Sequence, residues 1–314
     1  MANNMMRVAI VGSGGLAQVF AHHINETVHP FIILSRRARP DLEAFGYQVA
    51  VVNYESQEDL RFHLRGIDVV ISTISGIPQI NLIDAAARSR VLRFIPAEFC
   101  DKLAGRPNHD PLDRGRAATI ERLQHWARHT RHQMNFTVFD CGVFYERFAR
   151  GGLASLDIGA SAGLSSEGSY LLNMTANTAE IVEYNSAGQP VWVSMTSVED
   201  VARFVAAALA LDLRTWPIEF RMQGDKKTVT EILRYAEVVK GQGPFVTTRY
   251  TPGQLSAYLQ QAIIYQDYAQ ATRLQELIAT EQRRYDFSLA NLNALVDVQP
   301  ISFWNWLSSH WGFQ

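Results

Sequence analysis

Short apolar runs alternate with helix-length amphipathic segments through the first half of the chain. The runs are "VAIVG" at 8–12, "FIILS" at 31–35, "YQVAVVN" at 47–53, "DVVISTI" at 68–74, "LRFIPAEF" at 92–99 and "NFTVFDC" at 135–141. Runs this continuously apolar predict strands buried on both faces, as in a parallel sheet. Helices are predicted between them, near 16–28, 57–65, 79–90 and 113–131. The expected fold class is α/β, a Rossmann-type doubly wound parallel sheet that holds its ligand at the carboxyl ends of the strands.

From about residue 151 the rhythm breaks into glycine- and serine-rich turns, "GASAGLSSEGS", followed by short strands and then helices. This predicts a smaller α+β substrate lobe over 151–314, set against a nucleotide-binding domain over 1–150. The segment "VWVSMTSVEDVARFVAAAL", near 190–212, joins a strand to an apolar helix and is expected to return to the core domain. Residues 252–282 read as one long helical pattern, and the aromatic end "ISFWNWLSSHWGF" as a helix packed by its tryptophans. There is no internal repeat.

With 314 residues, 47% of them hydrophobic, the chain can bury one large core or two small ones. A net charge of −2 gives no broad positive field, which argues against nucleic acid as a partner. The longest apolar run, 204–211, ends at Asp212 and falls far short of the ~20 residues that span a bilayer, so no membrane partner is expected. The first strand begins by Val8, which leaves no room for a secretory signal. The two cysteines, Cys100 and Cys141, lack zinc-type spacing, so no metal site is expected. Each falls at the carboxyl end of a predicted strand, either facing the cleft or serving as a small buried thiol. A reduced cytoplasmic protein is expected, a monomer or homodimer that acts on a small molecule.

The chemistry begins in "VGSGGLAQ". Gly12, Gly14 and Ala17 satisfy G-x-G-x-x-G/A, while Gly12 and Gly15 satisfy the first two places of G-x-x-G-x-x-G, with Gln18 at the third. Either register supplies a tight turn, close backbone approach to a pyrophosphate, and a helix start that attracts anions. The candidate turn is therefore Gly12, Ser13, Gly14, Gly15, Leu16 and Ala17. An acid at the end of the second strand would grip the ribose of NAD, but the strand ends in Ser35, Arg36 and Arg37. Arginine suits a 2′-phosphate by charge-assisted hydrogen bonds, so NADP(H) is the expected cofactor.

The stretch "GIDVVISTISGIPQINLIDAAARSRVLRFIPAEF" resembles the isoflavone-reductase-like and NmrA-like proteins, which are atypical short-chain reductases. The segments "FTVFDCGVFYERF", "TSVEDVARFVAAAL" and "VQPISFWNWLSSHW" carry the same resemblance, strongest to the fungal branch. It implies an NADPH-binding Rossmann domain and a substrate lobe, often for aromatic or polyketide-derived molecules. It also implies that Thr73, Ile74 and Ser75 line the adenosine side and that residues from Ala97 to Phe99 lie near the nicotinamide.

The sequence departs from that family in its proton donor. The helix "LDRGRAATIERLQHW" has no lysine where the plant reductases place one, and no Tyr-x-x-x-Lys pair occurs. A positioned acid or base is worth ~10²–10⁴-fold in rate, so a substitute is needed for fast reduction. Candidates are Lys102 and His109, in the loop after the fifth strand, and Tyr145, after the sixth. Three functions stay open: an NADPH-dependent reductase, a redox-neutral isomerase, cyclase or dehydratase that keeps the nucleotide pocket, and a non-enzymatic NADP-sensing regulator.

Overall fold

Six strands form one parallel sheet: β1 (Val8–Val11), β2 (Phe31–Ser35), β3 (Val49–Val51), β4 (Val69–Ser72), β5 (Arg93–Ile95) and β6 (Asn135–Phe136). Their order is β3-β2-β1-β4-β5-β6, with every pair parallel. This is the Rossmann order expected from the sequence. The protein is seen here in a computed structural model that describes residues 5–160 and 163–312. The covering helices are α1 (Gly15–Asn25), α2 (Pro40–Ala44), α3 (Gln57–His63), α4 (Ile77–Arg88) and α5 (Arg116–Ala127). Helix α2, a single turn begun by Pro40, is too short to show a helical period and is not foreseen from the pattern.

All but β2 are shorter than their apolar runs, and the two largest differences have a visible cause. β5 stops at Ile95 because Pro96 has no N–H to give the ladder. The run at 135–141 divides at Thr137, after which β7 (Val138–Asp140) leaves the main sheet. The Thr137 hydroxyl donates to the Pro217 carbonyl at 2.7 Å and accepts from Arg93 at 3.1 Å, which fixes the switch.

The rest of the chain builds three small sheets. Their strands are β8 (Val143–Phe144), β9 (Leu172–Asn173), β10 (Thr178–Ile181), β11 (Trp192–Thr196), β12 (Glu219–Arg221), β13 (Asp225–Thr228) and β14 (Val246–Arg249). The sheet orders are β14-β10-β9, β13-β11-β8 and β12-β7. Helix α6 (Val198–Ala208) starts where the Ser197 side chain accepts from Asp200 N–H. It lays Val201, Phe204 and Val205 against Ala17, Phe20 and Ile24 of α1, so the return segment completes the core on that face of the main sheet.

Helix α7 (Val229–Lys240) opens with a capping box between Thr228 and Glu231. The long pattern at 252–282 forms two helices, α8 (Pro252–Ile264) and α9 (Tyr268–Glu281). They part where Gln266 takes a φ of 57° and Asp267 caps the second helix by accepting from Gln270 N–H. Helix α10 (Phe303–Trp311) buries Trp306 and Trp311, while Trp304 is partly exposed.

Glu146, just after β8, is almost fully enclosed and accepts from Val198 N–H at 3.0 Å. Burial, with Asp200 and Glu199 nearby, pushes its carboxyl up to about 7. The folded protein therefore keeps a proton that the unfolded chain releases at the ordinary glutamate value of 4.5. Stability falls as pH rises between those two values and is flat above them. Glu146→Gln is expected to remove this part of the slope, seen as a melting temperature that falls less between pH ~4.5 and ~7 than the parent's. Superimposable profiles would refute the assignment.

Candidate functional site

The turn after β1 is built by three glycines with different tasks. Gly12 has a φ of 109°, and a Cβ placed there would lie 2.2 Å from Thr73 Oγ1. That hydroxyl donates to the Val11 carbonyl at 3.0 Å, so it is held where it is. Gly14 caps α1 and faces the cavity described below. Gly15 is needed because another segment crosses it: a Cβ there would lie 1.5 Å from the Leu156 carbonyl oxygen, and Gly15 N–H donates to the Asp157 carbonyl at 3.2 Å. The two sequence registers are thus both occupied. Gly12 and Gly14 line the cavity, and Gly15 lets the chain pass behind the turn.

The helical ladder of α1 begins with Gln18 N–H on the Gly14 carbonyl and Gly15 N–H is taken by Asp157, so among the described residues Leu16 and Ala17 carry the free donors of the helix end. Ala17 is buried and supplies the small residue between helix and sheet. Gln18, at the place of the third glycine, donates through Nε2 to the Ser13 carbonyl at 3.3 Å and braces the turn.

A cavity of about 750 Å³ lies over this helix end. Its floor is Gly12, Ser13, Gly14 and Leu16, one wall is Thr73, Ile74 and Ser75, and the other is Ser35, Arg36 and Arg37. The Ser13 and Ser35 hydroxyls are hydrogen-bonded at 2.9 Å, and Ser35 Oγ accepts from Arg37 N–H at 3.3 Å, tying the second strand end to the turn. Arg39 also lines the cavity. Its guanidinium donates to the Ser13 carbonyl and pairs with Asp41 at 2.6 Å, and the hydrogen bond to Asp41 raises its pKa. The sequence signal for it was present, as the third arginine of "SRRAR", but it lies past the strand end where the pattern looks for a ribose partner.

A second hollow of about 550 Å³ shares Arg36, Tyr54 and Pro78 with the first and extends the groove along 51–55. Tyr54 donates to the Leu34 carbonyl at 2.8 Å, and burial pushes its hydroxyl up to about 12. The far rim is formed by Asp157, Ile158, Gly159 and Ala160. Neither Tyr54 nor this rim carries a motif in the sequence.

Other expected site residues are placed elsewhere. Ala97 N–H is taken by Gln79 Oε1 at 2.9 Å, and Phe99 is 7% exposed, its ring 5.0 Å from that of Phe20; neither lines the cavity. Tyr145 is fully buried between Phe303 and Trp306, donates to the Ile301 carbonyl at 3.2 Å, and is pushed far above its ordinary pKa by burial. It is a packed aromatic rather than a cleft residue. Lys102 Nζ donates to the Asp286 carbonyl at 3.4 Å, and His109 is exposed in a turn with a φ of 59°. The structure does not bring these three together.

The loop that carries Lys102 and His109 is fixed by buried charge. Asp101 receives Arg116 at 2.7 Å, Arg106 at 3.2 Å and Arg284 at 2.7 Å, while Arg284 also reaches Asp110 at 2.7 Å. Burial opposes its ionisation, but the three guanidiniums hold the Asp101 carboxyl well below the ordinary range. Cys100 donates to Asp101 at 3.0 Å, and burial pushes its thiol up to about 12. Cys141 is buried in the core under the same effect. Burial disfavours the thiolate at both cysteines, which makes them poor nucleophiles.

No family model matches the chain. A curated oxidoreductase, swnR of Metarhizium robertsii, is 39% identical over 122 residues, covering 34% of this chain and 40% of that protein. The swnR oxidoreductase of Arthroderma benhamiae is 32% identical over 110 residues, covering 33% of this chain and 36% of its own length. The match thus spans well under half of these curated relatives.

Among solved structures, isoflavone reductase superposes with a TM-score of 0.74 at 16% identity, covering 98% of this chain and 99% of its own. AtPrR2 with NADP⁺ and (+)pinoresinol gives 0.71 at 19% identity, covering 98% and 99%. Leucoanthocyanidin reductase from Vitis vinifera, in a ternary complex, gives 0.71 at 18% identity, covering 96% and 98%. The chain therefore has a Rossmann-type fold like that of isoflavone reductase over 98% of its length, as the sequence resemblance implied. The curated sequences that part of this chain resembles are fungal oxidoreductases.

Proposed function

We propose that the protein is an NADP(H)-dependent reductase of a small aromatic or polyketide-like molecule. The observation that carries this reading is the cavity wall after β2, where Arg36, Arg37 and Arg39 stand with Ser35 beside the glycine turn. Three guanidiniums there suit a dianionic 2′-phosphate, whereas NAD requires an acid at that place. The Gly12 cradle, which any side chain would fill, matches the close backbone approach that a pyrophosphate needs. Bound there, NADPH would supply a hydride. The protein's own part is to hold the diphosphate at the end of α1, clamp the 2′-phosphate with the arginines, and keep the adenosine along Thr73–Ser75. The solved relatives named with NADP⁺ or NADPH and with small-molecule reductions support the reading.

One observation favours redox-neutral catalysis in the same pocket: none of Lys102, His109 and Tyr145 lines the cavity, so no expected proton donor stands beside it. Absorbance at the nicotinamide band separates the two, since substrate-dependent loss of NADPH marks reduction and product without that loss marks the alternative. For the cofactor, titration calorimetry is expected to show NADPH binding at least about tenfold tighter than NADH, a difference of about 1.4 kcal/mol or more. Arg36→Ala is expected to erase most of that preference by weakening NADPH and leaving NADH unchanged. Equal affinity of the parent for both would overturn the assignment.

A further inference from the structure

Helix α1 has no acidic residue in its first turn, yet its end is not without an anion. Asp157, reached through the segment Gly152–Leu156, gives its carbonyl to Gly15 N–H at 3.2 Å. Its carboxylate lies on the same side, with Oδ2 3.5 Å from the point where a Cβ on Gly14 would sit. Asp157 is on the cavity rim together with Arg39, whose charge it supports. The residue is held there from both sides. Ile158 and Leu153 pack with Val198 and against Leu16 and Val19, and Asp157 itself adopts a φ of 54°, a conformation that aspartate and asparagine tolerate better than most residues.

A diphosphate placed on this helix end meets the same partial positive charge as Asp157 and the Arg39 guanidinium that lines the same cavity. We propose that Asp157 is an internal competitor for the diphosphate of the dinucleotide, a residue that weakens cofactor affinity and sets it by its charge. This rests on the dinucleotide reading of the cleft. The competition acts only on ligands that put a phosphate at the end of α1. A ligand confined to the adenosine side, along Arg36, Tyr54 and Thr73, does not feel it.

The test compares NADPH with adenosine 2′-monophosphate, which keeps the 2′-phosphate and adenine but carries no phosphate on its 5′ carbon. Asp157→Asn keeps the left-handed backbone and removes the charge, and Asp157→Gly removes both the charge and the backbone demand. Both variants are expected to bind NADPH about threefold to tenfold tighter than the parent at low salt, the scale of a helix-end charge, with the 2′-monophosphate unchanged. Agreement between the two variants guards against a folding defect in either. If NADPH binding is unchanged or weaker in both, the competition is absent and the inference is overturned; weaker binding would mean that the carboxylate holds a ribose hydroxyl instead. An equal gain for both ligands overturns it too, as a general effect on the fold. If the parent binds neither ligand, the dinucleotide reading itself fails, a distinct outcome.

Discussion

Replacing Arg284 with methionine is expected to lower the unfolding free energy by about 3–5 kcal/mol, a large share of the about 5–15 kcal/mol typical of a domain. The side chain is 2% exposed and serves two carboxylates at once, Asp101 through Nε at 2.8 Å and Asp110 through two nitrogens at 3.0 and 2.7 Å. Methionine has similar length but no charge, so among the described residues Asp110 keeps only the Leu112 N–H at 2.9 Å and Arg116, 3.8 Å away. The cost comes from a buried carboxylate left short of partners more than from the value of the lost pair itself. A urea midpoint measured beside that of Arg214→Met is the suitable check. Arg214 and its partner Asp212 lie on the surface, and no measurable change is expected there. Equal midpoints for the two variants would show that the buried network contributes no more than a surface pair.

The second large effect is expected at the turn. Gly12→Ala should weaken NADPH binding by about a hundredfold, or roughly 2.7 kcal/mol. Two costs combine: a φ of 109° that alanine adopts only under strain, and a methyl group 2.2 Å from Thr73 Oγ1. They can be separated. In Gly12→Ala with Thr73→Ala the overlap is relieved while the backbone strain remains, so part of the loss should return. Calorimetric titration of both proteins checks this. Wild-type affinity in the single variant would mean that the turn does not hold the ligand.

Much of the main sheet was legible because parallel strands buried on both faces are apolar at every position, and six such runs leave few alternatives. The glycine turn and Arg36 were legible for a related reason: a backbone that must approach a phosphate restricts the residue type. The site residues that were missed obey no such local restriction. Arg39, Tyr54 and Asp157 reach the cavity through tertiary packing, from a loop, a strand exit and the second lobe. Gly15 shows the limit from the other side. Its glycine is visible in the sequence, but the cause is the backbone of Leu156, more than a hundred residues away.

The packing of α6 on α1 bears on how the protein is made. The buried face of α1, with Ala17, Phe20 and Ile24, meets Val201, Phe204 and Val205 from near residue 200. During synthesis, all six strands of the main sheet have therefore left the ribosome before the helix that covers this face has been translated. For that interval the nascent chain shows an open apolar surface beside its nucleotide turn. Until about residue 208 emerges, this half of the nascent chain lacks the helix that closes its core.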